Sequence, residues 1–241
     1  MSRSPSPDEG TALSVLPVAG LDEISRGDDL ASLIAARVEL LDGDVVVVTQ
    51  KIVSKAEGCV VPLDHDDPAA RERLIESQSV RVLRRRGDLI ISETRHGFVC
   101  ANAGVDLSNV ADGWATVLPD DSDRSARRIR DGLRAATGRE VAVIVSDTFG
   151  RAWRKGVVDV AIGCAGIAAV VDLRGTPDAM GRDLQATEVC VADEIASAAE
   201  LVMGKARAVP VAVVRGVDRS WLRRGSVSGE VLRPPAEDLF R

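Results

Sequence analysis

Apolar residues at Leu30, Leu33, Ile34, Val38 and Leu41 recur at helical spacing behind Asp28-Asp29, which predicts a capped amphipathic helix closed by Gly43. Val45–Thr49 is an unbroken β-branched run and predicts a buried strand. Asp67-Pro68 predicts the start of a strongly charged helix ending in Arg84-Arg85-Arg86, with short strands following at Leu89–Ser92 and Phe98–Ala101. Ala126, Ile129, Leu133 and Ala136 mark another amphipathic helix, which Gly138 ends. Val141–Val145 and Ala168–Leu173 read as buried strands. Ile195, Ala198, Ala199 and Val202 give a helix with Asp193 and Glu194 in its first turn, where negative charge suits the helix dipole. Val209–Val214 reads as the last strand, ahead of an irregular charged tail from Asp218. Helices and strands mix without strict alternation and without a repeat, so the pattern predicts an α+β architecture. One domain is expected over 13–241, behind a Ser- and Pro-rich lead-in at 1–12 expected to be disordered.

Composition narrows the function classes. The chain has 241 residues, 45% of them hydrophobic and 28% charged, enough to bury a real core and too apolar for long disorder. A net charge of −6 argues against a general nucleic-acid binder. Aromatics are only 2%, so the core must be aliphatic. The four cysteines, Cys59, Cys100, Cys164 and Cys190, have no C-x-x-C spacing and suggest neither zinc nor a disulfide framework. The polar start lacks a signal peptide's apolar stretch, and no window approaches the length of a membrane span. A cytoplasmic protein with no membrane and no nucleic-acid partner is expected.

Three segments set polar residues directly against apolar strands. Thr49–Gly58 offers Lys51, Ser54 and Lys55 at a strand's carboxyl end, either for phosphate oxygens or as a solvated turn between strands. Asn102–Asn109 offers Asp106 and Asn109, hard oxygen donors of the kind Mg²⁺ or Mn²⁺ prefers, or an Asx turn satisfying its own backbone. Ser146–Gly156 offers Asp147 and Thr148 to a cation, with Arg151, Arg154 and Lys155 for phosphate or carboxylate, or again a plain turn. No G-x-x-x-x-G-K-[ST] or G-x-G-x-x-G is present. His65 and His96 read as surface or turn residues, and no Ser-His-Asp or Cys-His set emerges, so metal-held phosphate chemistry is favoured.

Taken in order, these segments resemble those of the coenzyme F420-0:L-glutamate ligase family, the γ-glutamyl ligases of deazaflavin biosynthesis. The likeness rests on Gly43–Gly58, Asn102–Val110 and Ser146–Arg151, with Leu16-Pro17-Val18, Gly20-Leu21, Thr187–Ile195 and Pro210–Gly216 around them. The resemblance implies a mixed-sheet γ-glutamyl ligase fold, with two intertwined subdomains and a homodimer whose active site lies near the subunit interface. It implies GTP, L-glutamate and the precursor F420-0 as substrates, Mg²⁺ or Mn²⁺ at two sites, and K⁺. Metal ligands are expected at Asp106, Asp147 and Thr148. GTP contacts are expected at Leu21, Asp22, Glu23, Ile24, Gln50, Lys51, Lys55 and Asn109, and near Met203–Pro210. Lys55, Arg151 and Arg154 are expected to supply catalytic positive charge. Where many members carry a carboxylate after Met-Gly, this chain has Lys205, which is expected to contact phosphate instead. In some relatives a flavin-binding reductase-like domain is fused to the ligase, and none is expected here. The alternatives are a GTP- and metal-dependent amide ligase with another acceptor or amino acid, and a non-catalytic nucleotide sensor.

Overall fold

A computed structural model describes residues 12–64 and 66–238, so the lead-in, except for Ala12, and His65 lie outside the described residues. The chain runs through β1 (Ser14–Pro17), α1 (Leu30–Ala35), β2 (Val45–Thr49), α2 (Gln50–Glu57), β3 (Val60–Pro62) and α3 (Ala70–Ser77). Next come β4 (Ser79–Arg86), β5 (Leu89–Thr94), β6 (Val99–Ala101), β7 (Trp114–Thr116), α4 (Ser122–Thr137), β8 (Ala142–Arg151) and β9 (Arg154–Ala165). It closes with β10 (Val171–Asp172), β11 (Glu188–Val189), α5 (Val191–Met203), β12 (Val211–Arg215) and α6 (Val227–Glu230).

The main sheet has the order β1-β12-β2-β8-β9. Only β2 and β8 run parallel, with Val45 opposite Ala142 and Thr49 opposite Ser146, and the remaining pairs are antiparallel. The sheet is therefore mixed and the architecture α+β, as the pattern of elements predicts. Val45–Val48 and Val143–Val145 are fully buried, because helices cover the sheet and leave these strands no solvent face. α4 packs on β8 and β9 and carries α1 on its back, while α5 packs on β1, β9 and β12. Gly163 permits one of these approaches, since a Cβ there would stand 2.3 Å from the backbone carbon of Ser122 at the start of α4. No helix among the described residues is long and apolar enough to cross a membrane.

Several expectations need correction. The first helix ends at Ala35 rather than near Gly43, leaving Val38 in the following turn and Leu41 in the approach to β2. The charged helix from Asp67 stops at Ser77, and Arg84–Arg86 lie in β4. β4 turns at Gly87-Asp88 into β5, and Arg85 reaches back to Glu72 and Glu76 of α3, so one charge cluster spans a helix and a strand. Thr49–Gly58 is neither loop nor turn: α2 starts directly at the end of β2, and Gly58 closes it at φ +76°, a conformation that suits glycine. The strand at Val141–Val145 runs on to Arg151 and pairs with β9, which the pattern did not predict. The strand expected over Ala168–Leu173 shrinks to Val171–Asp172. The tail beyond Asp218 contains α6, whose Val227 is buried in the core.

Candidate active site

Because β2 and β8 are parallel and in register, both carry their continuations out at the same end of the sheet. β2 passes into Gln50 and Lys51 of α2, and β8 runs on through Asp147 and Thr148. The segments after β1 and before β12 arrive at this end too. They enclose a cleft of about 680 Å³ lined by Leu21–Ile24, Thr49–Ile52, Lys55, Asp106, Ser108, Asn109, Ser146–Thr148, Val157, Asp159, Glu200, Met203–Ala206 and Ala208–Pro210. A hollow of about 530 Å³ around Val38, Leu40 and Arg139 assembles none of this chemistry.

On one wall, α2 presents its residues at helical spacing. Lys51 pairs with Asp106 Oδ2 at 2.9 Å and donates to Ser108 Oγ at 2.6 Å. One turn later the buried Lys55 pairs with Glu23 and donates to the Asn109 carbonyl at 2.7 Å. Thr49 makes no side-chain cap at the start of α2, where the first helical N–H groups have no partner within the helix. Gln50 lines the cleft but commits its amide to Ser54 Oγ and the Val117 carbonyl. Asp106 does form the Asx turn, accepting from Ser108 N–H at 2.7 Å, while its other oxygen faces Lys51. Burial works against ionisation of Asp106, but Lys51 and Ser108 hold it below the usual carboxylate range. Asn109 keeps a left-handed backbone, φ +53°, at the rim.

On the floor, Asp147 accepts Thr148 N–H on Oδ1 at 2.8 Å. Burial pushes its carboxyl up to about 7, and the charges of Asp106 and Asp159 add to the rise. Beside it, Asp159 is 1% exposed and accepts from Ser146 Oγ at 3.2 Å and Thr148 Oγ at 2.7 Å. Lys205, at the carboxyl end of α5, pairs with Asp159 at 2.6 Å and with Glu200 at 3.4 Å, and also donates to Thr148 Oγ. Burial disfavours the Lys205 ammonium, but Asp159 and Glu200 together more than compensate and raise it above the usual lysine value.

Six carboxylates face three lysines in this cleft. A polyanionic nucleotide would be repelled there without added cations, and Asp106 with Asp147 offers the hard oxygen pair that Mg²⁺ or Mn²⁺ takes alongside phosphates. Among the described residues no group of three or more His, Cys, Asp or Glu side chains is placed to hold a metal ion by itself.

The structure thus gathers Leu21, Asp22, Glu23, Ile24, Gln50, Lys51, Lys55, Asn109, Lys205, Asp106, Asp147 and Thr148 around one cleft. It does not bring Arg151 and Arg154 there: both are exposed at the β8–β9 hairpin tip, where Arg151 donates to the Lys155 carbonyl at 3.4 Å. Asp159 and Glu200 are the residues that sequence reasoning missed. The signal for Asp159 was a single carboxylate inside the apolar run Val157–Ile162.

The pattern that defines the F420-0:gamma-glutamyl ligase family matches residues 20–216 of this chain. The chain is 46% identical to the coenzyme F420:L-glutamate ligase of Methanothermobacter thermautotrophicus, over 95% of this chain and 99% of that protein. It is 42% identical to the protein of the same name from Methanopyrus kandleri, over 95% and 98%, and 40% identical to that from Archaeoglobus fulgidus, over 95% and 96%.

Proposed function

The chain belongs to the F420-0:gamma-glutamyl ligase family, a family of ligases, and on that premise we propose that it joins L-glutamate to F420-0 using GTP, then adds further glutamates through γ-linkages. The observation that carries this reading is the single cleft in which Lys51, Lys55 and Lys205 face the Asp106–Asp147 pair at the parallel strand ends.

The chemistry proceeds by two displacements. A carboxylate oxygen of the acceptor attacks the γ-phosphorus of GTP, the bond to the β–γ bridging oxygen breaks, and GDP leaves with the electron pair. The glutamate amine then attacks the carbonyl of the acyl phosphate, the C–O bond to phosphorus breaks, and phosphate departs as the amine proton passes to solvent. Every group that meets here is anionic, so the protein's task is to assemble and hold charge. Lys51, Lys55 and the open start of α2 hold phosphate oxygens, which draws Lys51 away from Asp106. Asp106 and Asp147 would hold a divalent ion, Mg²⁺ or Mn²⁺, which when bound would screen the phosphates and polarise the γ-phosphoryl group. Leu21, Ile24 and Val209 give the base an apolar wall.

In this reading the enzyme is a cytoplasmic homodimer. Arg151 and Arg154, exposed at the β8–β9 hairpin tip, would offer their charge to the cleft of a neighbouring copy. The test is mass spectrometry of purified chain with F420-0, L-glutamate, GTP and Mn²⁺. Products heavier by one or more glutamyl units, lost when GTP is omitted, are expected. An unchanged precursor in the presence of bound GTP would overturn the acceptor assignment.

A further inference from the structure

The floor of the cleft has two halves of opposite electrostatic character. Asp147 forms no ion pair among the described residues, and the Lys51 that neutralises Asp106 is a lysine a phosphate can recruit. Half of the floor is therefore left for an external cation. The other half is already closed. A lysine ammonium has three N–H donors, and the three polar atoms around Lys205 Nζ are Thr148 Oγ, Asp159 Oδ1 at 2.6 Å and Glu200 Oε1 at 3.4 Å.

The acceptors are fixed from three directions. Asp159 sits on β9, with Ser146 Oγ on its second oxygen. Thr148, on β8, gives its own proton to Asp159 Oδ1, which leaves its oxygen free to receive Lys205. Glu200 is held by the end of α5, where its Oε2 accepts Gly204 N–H at 2.9 Å. Gly204 then turns the chain at φ +62° and sets Lys205 over the strands. A carboxylate as buried as Asp159 is costly without a partner charge, and Lys205 is that charge.

We propose that the Lys205 ammonium is a built-in cation that fills the position beside Thr148 and Asp159, so that each chain takes up one divalent ion, between Asp106 and Asp147, and not two. This rests on the reading of the cleft as a nucleotide and metal site. It revises the role expected for Thr148, whose hydroxyl serves the lysine in place of a metal. It also gives Lys205 two tasks, neutralising Asp159 and presenting fixed positive charge beside the phosphates.

The experiment is a count of bound Mn²⁺. The whole chain is dialysed against Mn²⁺ with a non-hydrolysable GTP analogue, and ions per chain are read by electron paramagnetic resonance of the free ion. Wild type is expected to bind one. Lys205→Glu sets a third carboxylate beside Asp159 and Glu200, and is expected to bind two. A second readout covers the case of a poorly folded variant: without metal, Lys205→Glu should melt below wild type, and Mn²⁺ should raise its Tm by more than it raises that of wild type. Asp147→Asn should remove one ion from either background. Two ions on wild type, or one ion on both wild type and Lys205→Glu with equal Tm response, overturns the built-in cation while leaving the nucleotide site standing. No nucleotide-dependent Mn²⁺ on wild type overturns both readings together.

Discussion

Asp147 is the residue on which the reading turns, because it is an acid kept from easy ionisation and placed where positive charge is due. Asp147→Ala is expected to lower glutamylation by at least about 10²–10³ in rate, as loss of a principal electrostatic contact does, while circular dichroism stays native. Its raised pKa has a second consequence in metal-free protein. The unfolded carboxyl releases its proton near 3.8 and the folded one near 7, so its contribution to stability falls as pH rises through that window and stays low above it. Asp147→Asn should therefore melt above wild type at pH 8, with the gap closing at pH 4. His96 acts at the opposite limb. It is half-buried against Phe98, and neither ring nitrogen makes a full hydrogen bond, although the nearby Pro119 carbonyl favours the proton a little. Burial and Arg95 lower its pKa, so stability is complete above 6.5 and is lost as pH falls below it. His96→Phe should flatten that loss, read as Tm between pH 7 and pH 5. At this scale Asp106, Asp147, Thr148, Lys51 and Lys55 could be found from sequence because each adjoins a strand or a glycine-containing loop, whereas Lys205 stood out only against the family pattern. Asp159 was hidden because its importance comes from what β9 lies against.

Elements with a helical period and clear ends were legible: α4 contains the expected Ala126–Ala136 and is closed by Gly138, though it starts earlier behind an Asp121 cap, and α5 carries Asp193 and Glu194 as anticipated. β4 was not, since its arginines continue the charge run of α3 and only pairing with β5 reveals a strand. β9 was not, since glycine and a buried acid interrupt its pattern. Both that glycine and that acid do work in contact with another element. Gly163→Ala should lower stability by about 1–3 kcal/mol or more, because the new methyl group meets backbone that cannot rotate away. Gly138→Ala meets open space and should cost only the left-handed strain at φ +68°, about 1–2 kcal/mol. Urea unfolding midpoints of the two variants separate close packing from backbone strain.

At the scale of the molecule, the β4–β6 sheet exposes Val80, Leu83, Leu89 and Val99, with Val80 70% accessible. The homodimer proposed above would need an apolar face, and this patch is the one to test for that role. Light scattering should then give twice the chain mass, and Val80→Glu with Leu83→Glu should shift it to the monomer; a wild-type monomer at micromolar concentration would remove the dimer and the role given to Arg151 and Arg154 in the neighbouring cleft. A sequence motif can mark a segment, but not that five segments between Leu21 and Pro210 meet at one end of a sheet. The strand order carries a consequence for biosynthesis. β2 lies between β12 and β8, and β1 pairs with β12, so the first and last strands of the sheet complete it side by side. During translation β2 can pair with β8 first, but β1 and the other edge of β2 must wait for β12, more than half the chain away, before their hydrogen bonds close. The cleft, whose lining runs from Leu21 to Pro210, is therefore completed only when the last strand of the sheet has been made.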